Sequence, residues 1–203
     1  MFFTMPRRLP LSLVVLVATY SSAHALTLLP PGHTWEYTFT DPTGDPTWNT
    51  TTGVGGIWAL GAAPFGNATG LDPDFDFVTL WEVDEGGGDD LWVRTTLDLT
   101  GADLSTVAWN LGADNGFTLY ANGVVVGSLN DEGYTFRWEY SGGFGGSLIA
   151  GPNVLAVALE DHGGFTAFDM QVTGVPEPAT TALLATQFIV FVGSMRKRRR
   201  GTQ

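Results

Sequence analysis

Leu91-Trp92-Val93-Arg94-Thr95-Thr96-Leu97-Asp98-Leu99 is the stretch that decides the fold. Leu91, Val93, Leu97 and Leu99 fall on one face at a period of two, with Arg94 and Asp98 on the other. That alternation marks a strand with one buried face. Val107, Trp109 and Leu111 repeat it a few residues on. Two Asn-Gly pairs follow: Asn115-Gly116 leads into Phe117-Thr118-Leu119-Tyr120, and Asn122-Gly123 leads into Val124-Val125-Val126. Asn-Gly supplies the positive φ angles of a type I′ turn, so residues 105–128 are expected to form a meander. Further strands are expected at 35–39, 77–82, 134–140, 154–160 and 165–172. Gly86-Gly87-Gly88 and Gly142-Gly143-Phe144-Gly145-Gly146 read as connectors. No segment of 26–175 sustains a helical period, and no repeat is visible. About eight short strands predict one all-β sandwich or barrel.

Charge divides the chain of 203 residues into three parts. The overall formal charge is -12, yet seven of the nine basic residues lie at the two ends. Residues 26–175 keep only Arg94 and Arg137 against twenty acids, a formal charge of -18. A nucleic-acid partner is excluded, because phosphate contacts need clustered Lys and Arg. So is a fold held together by salt bridges. There is no cysteine, which removes disulfides and thiolate metal sites. A domain of this size buries roughly 70% of its unfolded surface and needs no staples. The aromatic content argues against disorder.

The ends are addresses. Arg7 and Arg8 precede an apolar run over 9–18, and Ala23-His24-Ala25 is a small-x-small cleavage pattern. Residues 1–25 are therefore expected to be a signal peptide, cut by signal peptidase between Ala25 and Leu26. At the other end Pro176-Glu177-Pro178 leads into an apolar run over 179–195, then Arg196-Lys197-Arg198-Arg199-Arg200. Seventeen residues lie at the lower limit for a transmembrane helix. The basic tail at 196–200 holds that end in the cytoplasm and leaves the domain outside. A plain single-span anchor fits the same residues.

The Pro-Glu-Pro triplet, short helix and basic cluster over 175–203 resemble the PEP-CTERM sorting signal of Gram-negative, exopolysaccharide-producing bacteria. The resemblance implies that an exosortase recognises Pro176, Glu177 and Pro178 and removes the helix. The protein would then be exported through the inner membrane, held there transiently, and finally released or attached at the cell surface. It would be the substrate of that reaction. A second resemblance covers roughly residues 35–174 of a β-sandwich domain expected over 26–174. Trp58-Ala59-Leu60-Gly61-Ala62-Ala63-Pro64-Phe65-Gly66 is similar to a segment of galactose-binding-like jelly rolls. The match continues in Ala113-Asp114-Asn115-Gly116-Phe117, Gly151-Pro152-Asn153-Val154 and Glu160-Asp161-His162-Gly163-Gly164. It implies a jelly-roll β-sandwich of about eight strands in two antiparallel sheets, and it implies no particular ligand.

Chemistry is sparse. Outside the ends only His33 and His162 can act as imidazole bases, and no nucleophile or zinc motif accompanies either. No catalytic residue is assigned and the chain is expected not to be an enzyme. Calcium, an oxygen-seeking ion, is the cofactor candidate. Asp72, Asp74 and Asp76 have the opening spacing of an EF-hand, but Phe77 and Val83 stand where that loop needs Gly and Glu. A solvated acidic loop is the simpler reading of the three. For a ligand, Asp114 and Asn115 and the Asp161-His162 pair each end an apolar strand, so in a sandwich they lie on end loops. They offer groups for a hydroxyl-rich ligand, or they cap their own turns. Trp48, in the polar stretch Thr47-Trp48-Asn49-Thr50-Thr51, is the candidate exposed ring. Trp58, Trp81, Trp92, Trp109 and Trp138 are expected in the core. Asp169, between Phe168 and Met170, faces solvent or needs a partner such as Arg94, Arg137 or a metal.

Three functions follow in order. The first is a non-catalytic surface protein that binds a glycan, exopolysaccharide or other extracellular matrix component. The second is a structural biofilm protein whose acidic surface gathers cations. The third is a polysaccharide-acting enzyme, which needs paired carboxylates across a cleft.

Overall fold

The computed structural model describes residues 24–67, 76–81, 89–130 and 137–177. Among these residues there is no helix. Twelve strands follow in chain order: β1 (Leu26–Leu29), β2 (Thr34–Thr38), β3 (Ala59–Ala62), β4 (Phe65–Gly66), β5 (Thr79–Leu80), β6 (Leu91–Asp98), β7 (Ala102–Asp114), β8 (Phe117–Ala121), β9 (Val124–Leu129), β10 (Tyr140–Gly143), β11 (Pro152–Leu159) and β12 (Ala167–Pro176). They form two six-stranded sheets packed as a β-sandwich. One runs β10-β7-β12-β4-β5, with β1 also on β12; the other runs β3-β2-β6-β11-β8-β9. The expectation of purely antiparallel sheets fails at one pair, because β4 and β5 run parallel.

The core is built by the alternation seen in the sequence. Leu91, Val93, Leu97 and Leu99 are all buried, against Leu155, Val157 and Leu159 of β11 in the same core. Trp35, Phe65 and Phe168 meet as tilted and edge-to-face rings with centroids 5.4–6.1 Å apart. Burying each such side chain contributes about 1.5–3 kcal/mol. Thr95 takes the one polar slot on the inner face of β6, and its hydroxyl sits 2.9 Å from His33 Nε2. Burial holds His33 below the usual imidazole range, opposed by the nearby Asp169 charge. Of the tryptophans expected in the core, Trp81 and Trp109 are buried, while Trp58, Trp92 and Trp138 are half-buried.

The two Asn-Gly pairs do different things. Asn122 and Gly123 have φ of 51° and 81° and close the β8–β9 hairpin as expected. Asn115-Gly116 closes no hairpin. β7 pairs with β10 and β12, whereas β8 pairs with β9 and β11. The meander over 105–128 is therefore corrected: at 115–116 the chain leaves one sheet for the other. Leu111 and Ala113 then face Phe117 and Leu119 from opposite walls of one core. The strand expected over 134–140 is also shorter. Residues 137–138 form a turn, β10 begins at Tyr140, and 134–136 lie outside the described residues. Gly142 and Gly143 belong to β10 rather than to a connector. A Cβ on Gly142 would come within 2.6 Å of Trp109 Cζ2, so glycine there lets the indole lie against the strand.

The segment between β2 and β3 folds over the outer face of the second sheet. Strand register places Glu36, Arg94, Ala156 and Tyr120 in one row across it. Arg94 donates from Nε to Glu36 Oε2 at 2.8 Å, from Nη1 to the Trp48 carbonyl at 3.2 Å and from Nη2 to the Gly53 carbonyl at 3.0 Å. Its guanidinium carbon lies 3.8 Å from the centroid of the Trp58 ring, where the π face attracts a cation. The residue read from sequence as outward is thus outward and 5% exposed.

The sandwich has two poles. At one, β1 begins at Leu26 opposite Gly174 of β12, and Pro176 ends β12 opposite Ala102. The Glu177 amide donates to the Gly101 carbonyl there at 2.9 Å. Ala25 lies just before β1. Pro178, the expected helix at 179–195, the tail at 196–200 and most of the expected signal peptide lie outside the described residues. Among the described residues no helix is long and apolar enough to cross a membrane. At the other pole the ends of β7 and β11 meet the starts of β6, β8 and β12.

Candidate functional site

That second pole joins the two polar clusters singled out in the sequence. Leu159 pairs with Phe117 and with Leu91, which brings 114–116, 160–162 and Asp90 to one place. The junction is braced by backbone: Asn115 N donates to the Glu160 carbonyl and Glu160 N to the Gly116 carbonyl, both at 3.0 Å. A Cβ on Gly116 would meet Glu160 Oε2 and the Leu129 carbonyl at 2.9 Å, so this crossing needs glycine. Asn115 Oδ1 accepts from His162 N at 2.8 Å, and Asp90 Oδ1 accepts from Asp161 N at 3.0 Å. Asp161 Oδ1 accepts from Gly163 N at 2.7 Å, the turn-capping role expected for it. His162 Nε2 lies 3.2 Å from Glu160 Oε2.

Asp114 differs from its neighbours. It is 5% exposed, and no described residue donates a hydrogen bond to its carboxylate. Loss of hydration, with the Asp161 and Glu139 charges beside it, pushes its pKa up to about 6, and His162 opposes the rise. It does not cap its own turn, so that alternative is withdrawn. Three residues beyond His162 stands Phe165, 54% exposed on the same loop. The loop is anchored by Thr166, whose hydroxyl donates to the Trp81 carbonyl at 2.7 Å and whose amide donates to Asn67 Oδ1 at 3.0 Å.

Trp48 is elsewhere, and the expectation of an exposed ring there is corrected. Its indole is 6% exposed on the outer face of the second sheet, edge-on to Tyr120 with centroids 5.3 Å apart. Polar neighbours hid this, because Asp45 and Thr47 bond one another at the surface while the ring turns inward. Phe165, like Phe39, is an exposed aromatic that sequence reasoning placed inside a strand; Gly163 and Gly164, with φ of 93° and 96°, were the signal that Phe165 belongs to a loop. Asp90 and Glu139 were missed as site residues, since neither adjoins 114 or 161 in the chain.

For calcium, Asp72 and Asp74 lie outside the described residues and Asp76 is exposed. Among the described residues no three acidic or histidine side chains are arranged to hold a metal ion. Asp169 is fully buried and takes Arg137 as its partner, with Nη2 at 2.5 Å and Nε at 3.1 Å from Oδ2. Its Oδ1 accepts from Met170 N at 2.8 Å and Gly32 N at 3.3 Å. Burial still raises its pKa, with Arg137 opposing. Toward the opposite pole, Leu104, Val107, Phe144 and Leu148 line an apolar recess of about 260 Å³ with no ionisable group.

No protein-family model and no curated protein matches the chain. Solved structures do share its fold. A β-glucuronidase from Ruminococcus gnavus in complex with D-glucaro 1,5-lactone aligns with a TM-score of 0.51 at 14% identity, over 79% of this chain and 31% of the enzyme. The apo structure of β-glucuronidase from the same organism aligns with a TM-score of 0.51 at 15% identity, over 80% and 31%. At such identity the likeness defines a β-sandwich domain. The chain spans about a third of the length of these enzymes, 31%.

Proposed function

We propose that this is an exported galactose-binding-like jelly roll that binds carbohydrate at the pole formed by 114–116 and 160–166, without catalysing a reaction. The observation that carries it is an exposed ring, Phe165, on the same loop as Asp161 and His162, which Asn115 joins through its bond to the His162 amide, at the pole that also holds Asp114. Saccharide sites combine an aromatic face for the sugar ring with a few fixed hydrogen-bonding groups. The solved β-glucuronidases that share the fold act in carbohydrate chemistry, which is a supporting analogy and no more. The sorting proposal is that signal peptidase cuts before Leu26 and that an exosortase recognises Pro176-Glu177-Pro178, leaving the domain at the surface of a Gram-negative cell or in its matrix.

A glycan array on residues 26–176, which contain all twelve strands and the core, tests the binding reading. Saccharide binding that Phe165→Ala weakens supports it; an array with no signal from a folded domain overturns it. Repeating the array and the thermal melt with chelator separates the structural alternative. A melting temperature that falls with chelator in a domain binding no glycan favours a cation-gathering matrix protein. Mass spectrometry of the exported full chain, with and without exosortase, tests the sorting reading.

A further inference from the structure

We propose that the polar pole selects a cationic saccharide, one that seats a primary amine against Asp114. This rests on the carbohydrate reading above and narrows it to a substrate class. Asp114 is 95% buried by its 5% exposure, carries a carboxylate that no described residue bonds, and faces Asp161 and Glu139. Glu160 and Asp90 stand at the same pole. An acid so placed calls for a cation or strong donors, because a buried charge without a partner is costly.

Residues 26–176 cannot supply that cation. Residues 26–175 contain two arginines and no lysine. Arg94 is engaged by Glu36 and two carbonyls on the outer face of the second sheet, and Arg137 by Asp169. Residues 68–75, 82–88 and 131–136 contain neither lysine nor arginine. His162 is the one group facing Asp114 that can turn positive, and its Nε2 is 3.2 Å from Glu160. The partner of Asp114 therefore comes from outside. A protonated amine brings one positive charge and three donors. A neutral hydroxyl brings one donor and no charge, and a uronate would add a like charge to a pole that already has too many.

Titration calorimetry on residues 26–176 at pH 7 tests this with a glucosamine trimer, its fully N-acetylated counterpart, a glucuronate-containing trimer and trilysine. The expected result is that the glucosamine trimer binds at least tenfold tighter than the N-acetylated trimer, and that the glucuronate trimer does not bind. Asp114→Asn should abolish the preference for the amine by weakening the glucosamine trimer at least tenfold, with a thermal melt confirming the fold. Trilysine should bind at least tenfold more weakly than the glucosamine trimer. Equal affinity for the two trimers, unchanged by Asp114→Asn, overturns amine selection while carbohydrate binding stands. Equal binding by trilysine, also unchanged by that substitution, overturns it in favour of diffuse attraction to the acidic surface. If no saccharide binds, both proposals fall.

Discussion

Arg94 on β6 and Glu36 on β2 face each other across neighbouring strands, with Nε to Oε2 at 2.8 Å and side-chain exposures of only 6% and 13%. Glu36 also accepts from the Gly53 amide, with Oε1 at 2.7 Å and Oε2 at 2.8 Å, so the pair holds the segment between β2 and β3 against the sheet. Arg94→Ala should cost about 3–5 kcal/mol, because it strands a largely buried carboxylate. Urea denaturation measures the loss, and limited proteolysis should newly cut within 40–58. A variant that keeps its stability would show that the segment is held by its other contacts, Trp48 on Tyr120, Gly53 on Glu36 and Thr52 on Thr96, without Arg94.

Asp114 sets a pH dependence of known sign. Its folded pKa, about 6, lies above the ordinary carboxyl value of 3.8, so the folded state binds the proton more tightly. Stability from this group is greatest at acidic pH and declines as pH rises from about 4 to 6. Asp114→Asn should therefore stabilise the domain by about 1–2 kcal/mol at pH 7.5, after allowance for solvent screening, and have little effect at pH 3.5. Denaturation curves at the two pH values decide it.

Asp169 behaves differently because it has a partner. Removing that partner by Arg137→Ala leaves a fully buried carboxylate and should cost about 3–5 kcal/mol at pH 7. Arg137 holds the Asp169 pKa down, so its loss raises it further. The cost should then shrink as pH falls and Asp169 becomes neutral. An equal cost at pH 7.5 and pH 4.5 would show that the packing of Arg137 on Trp138, rather than its charge, is what matters.

Phe165→Ala tests the exposed ring without disturbing the core. Surface substitutions of this kind stay within about 0.5 kcal/mol in stability. Loss of a stacking face should weaken saccharide binding about tenfold. A thermal melt and calorimetry on one preparation check both halves.

Gly112 pairs with Asp169 on adjacent strands, and a Cβ there would come within 2.2 Å of the Arg137 carbonyl oxygen. Gly112→Ala should cost about 1–3 kcal/mol by displacing the segment that brings Arg137 to Asp169. Measured stability close to wild type would mean that this segment shifts freely.

Local patterns carried much of this fold. The Leu91–Leu99 alternation was legible because each inward residue meets the same core, and Asn122-Gly123 because a hairpin turn is decided by its own two residues. Asp114 and His162 could be placed on a common end because each terminates an apolar strand. What local pattern could not carry was pairing at a distance. Asn115-Gly116 has the same letters as the true hairpin, yet the choice between turning back and crossing over lies with β10, β11 and β12. The inward turn of Trp48 depends on Tyr120, and the partner of Asp169 on Arg137, each settled only by the folded chain.

The pairing of β1 and β12 also has a mechanical meaning. β12 spans the sandwich from Ala167, beside the polar pole, to Pro176, a length of about 30 Å for ten residues in extended backbone. A load applied between a ligand at that pole and the chain beyond Pro176 runs along this strand. Its hydrogen bonds to β7 and β1 lie perpendicular to the pull and would have to yield together in shear, rather than one at a time by peeling. β12 is thus built to hold tension along its length, with its long pairing to β7 placed on the line of force.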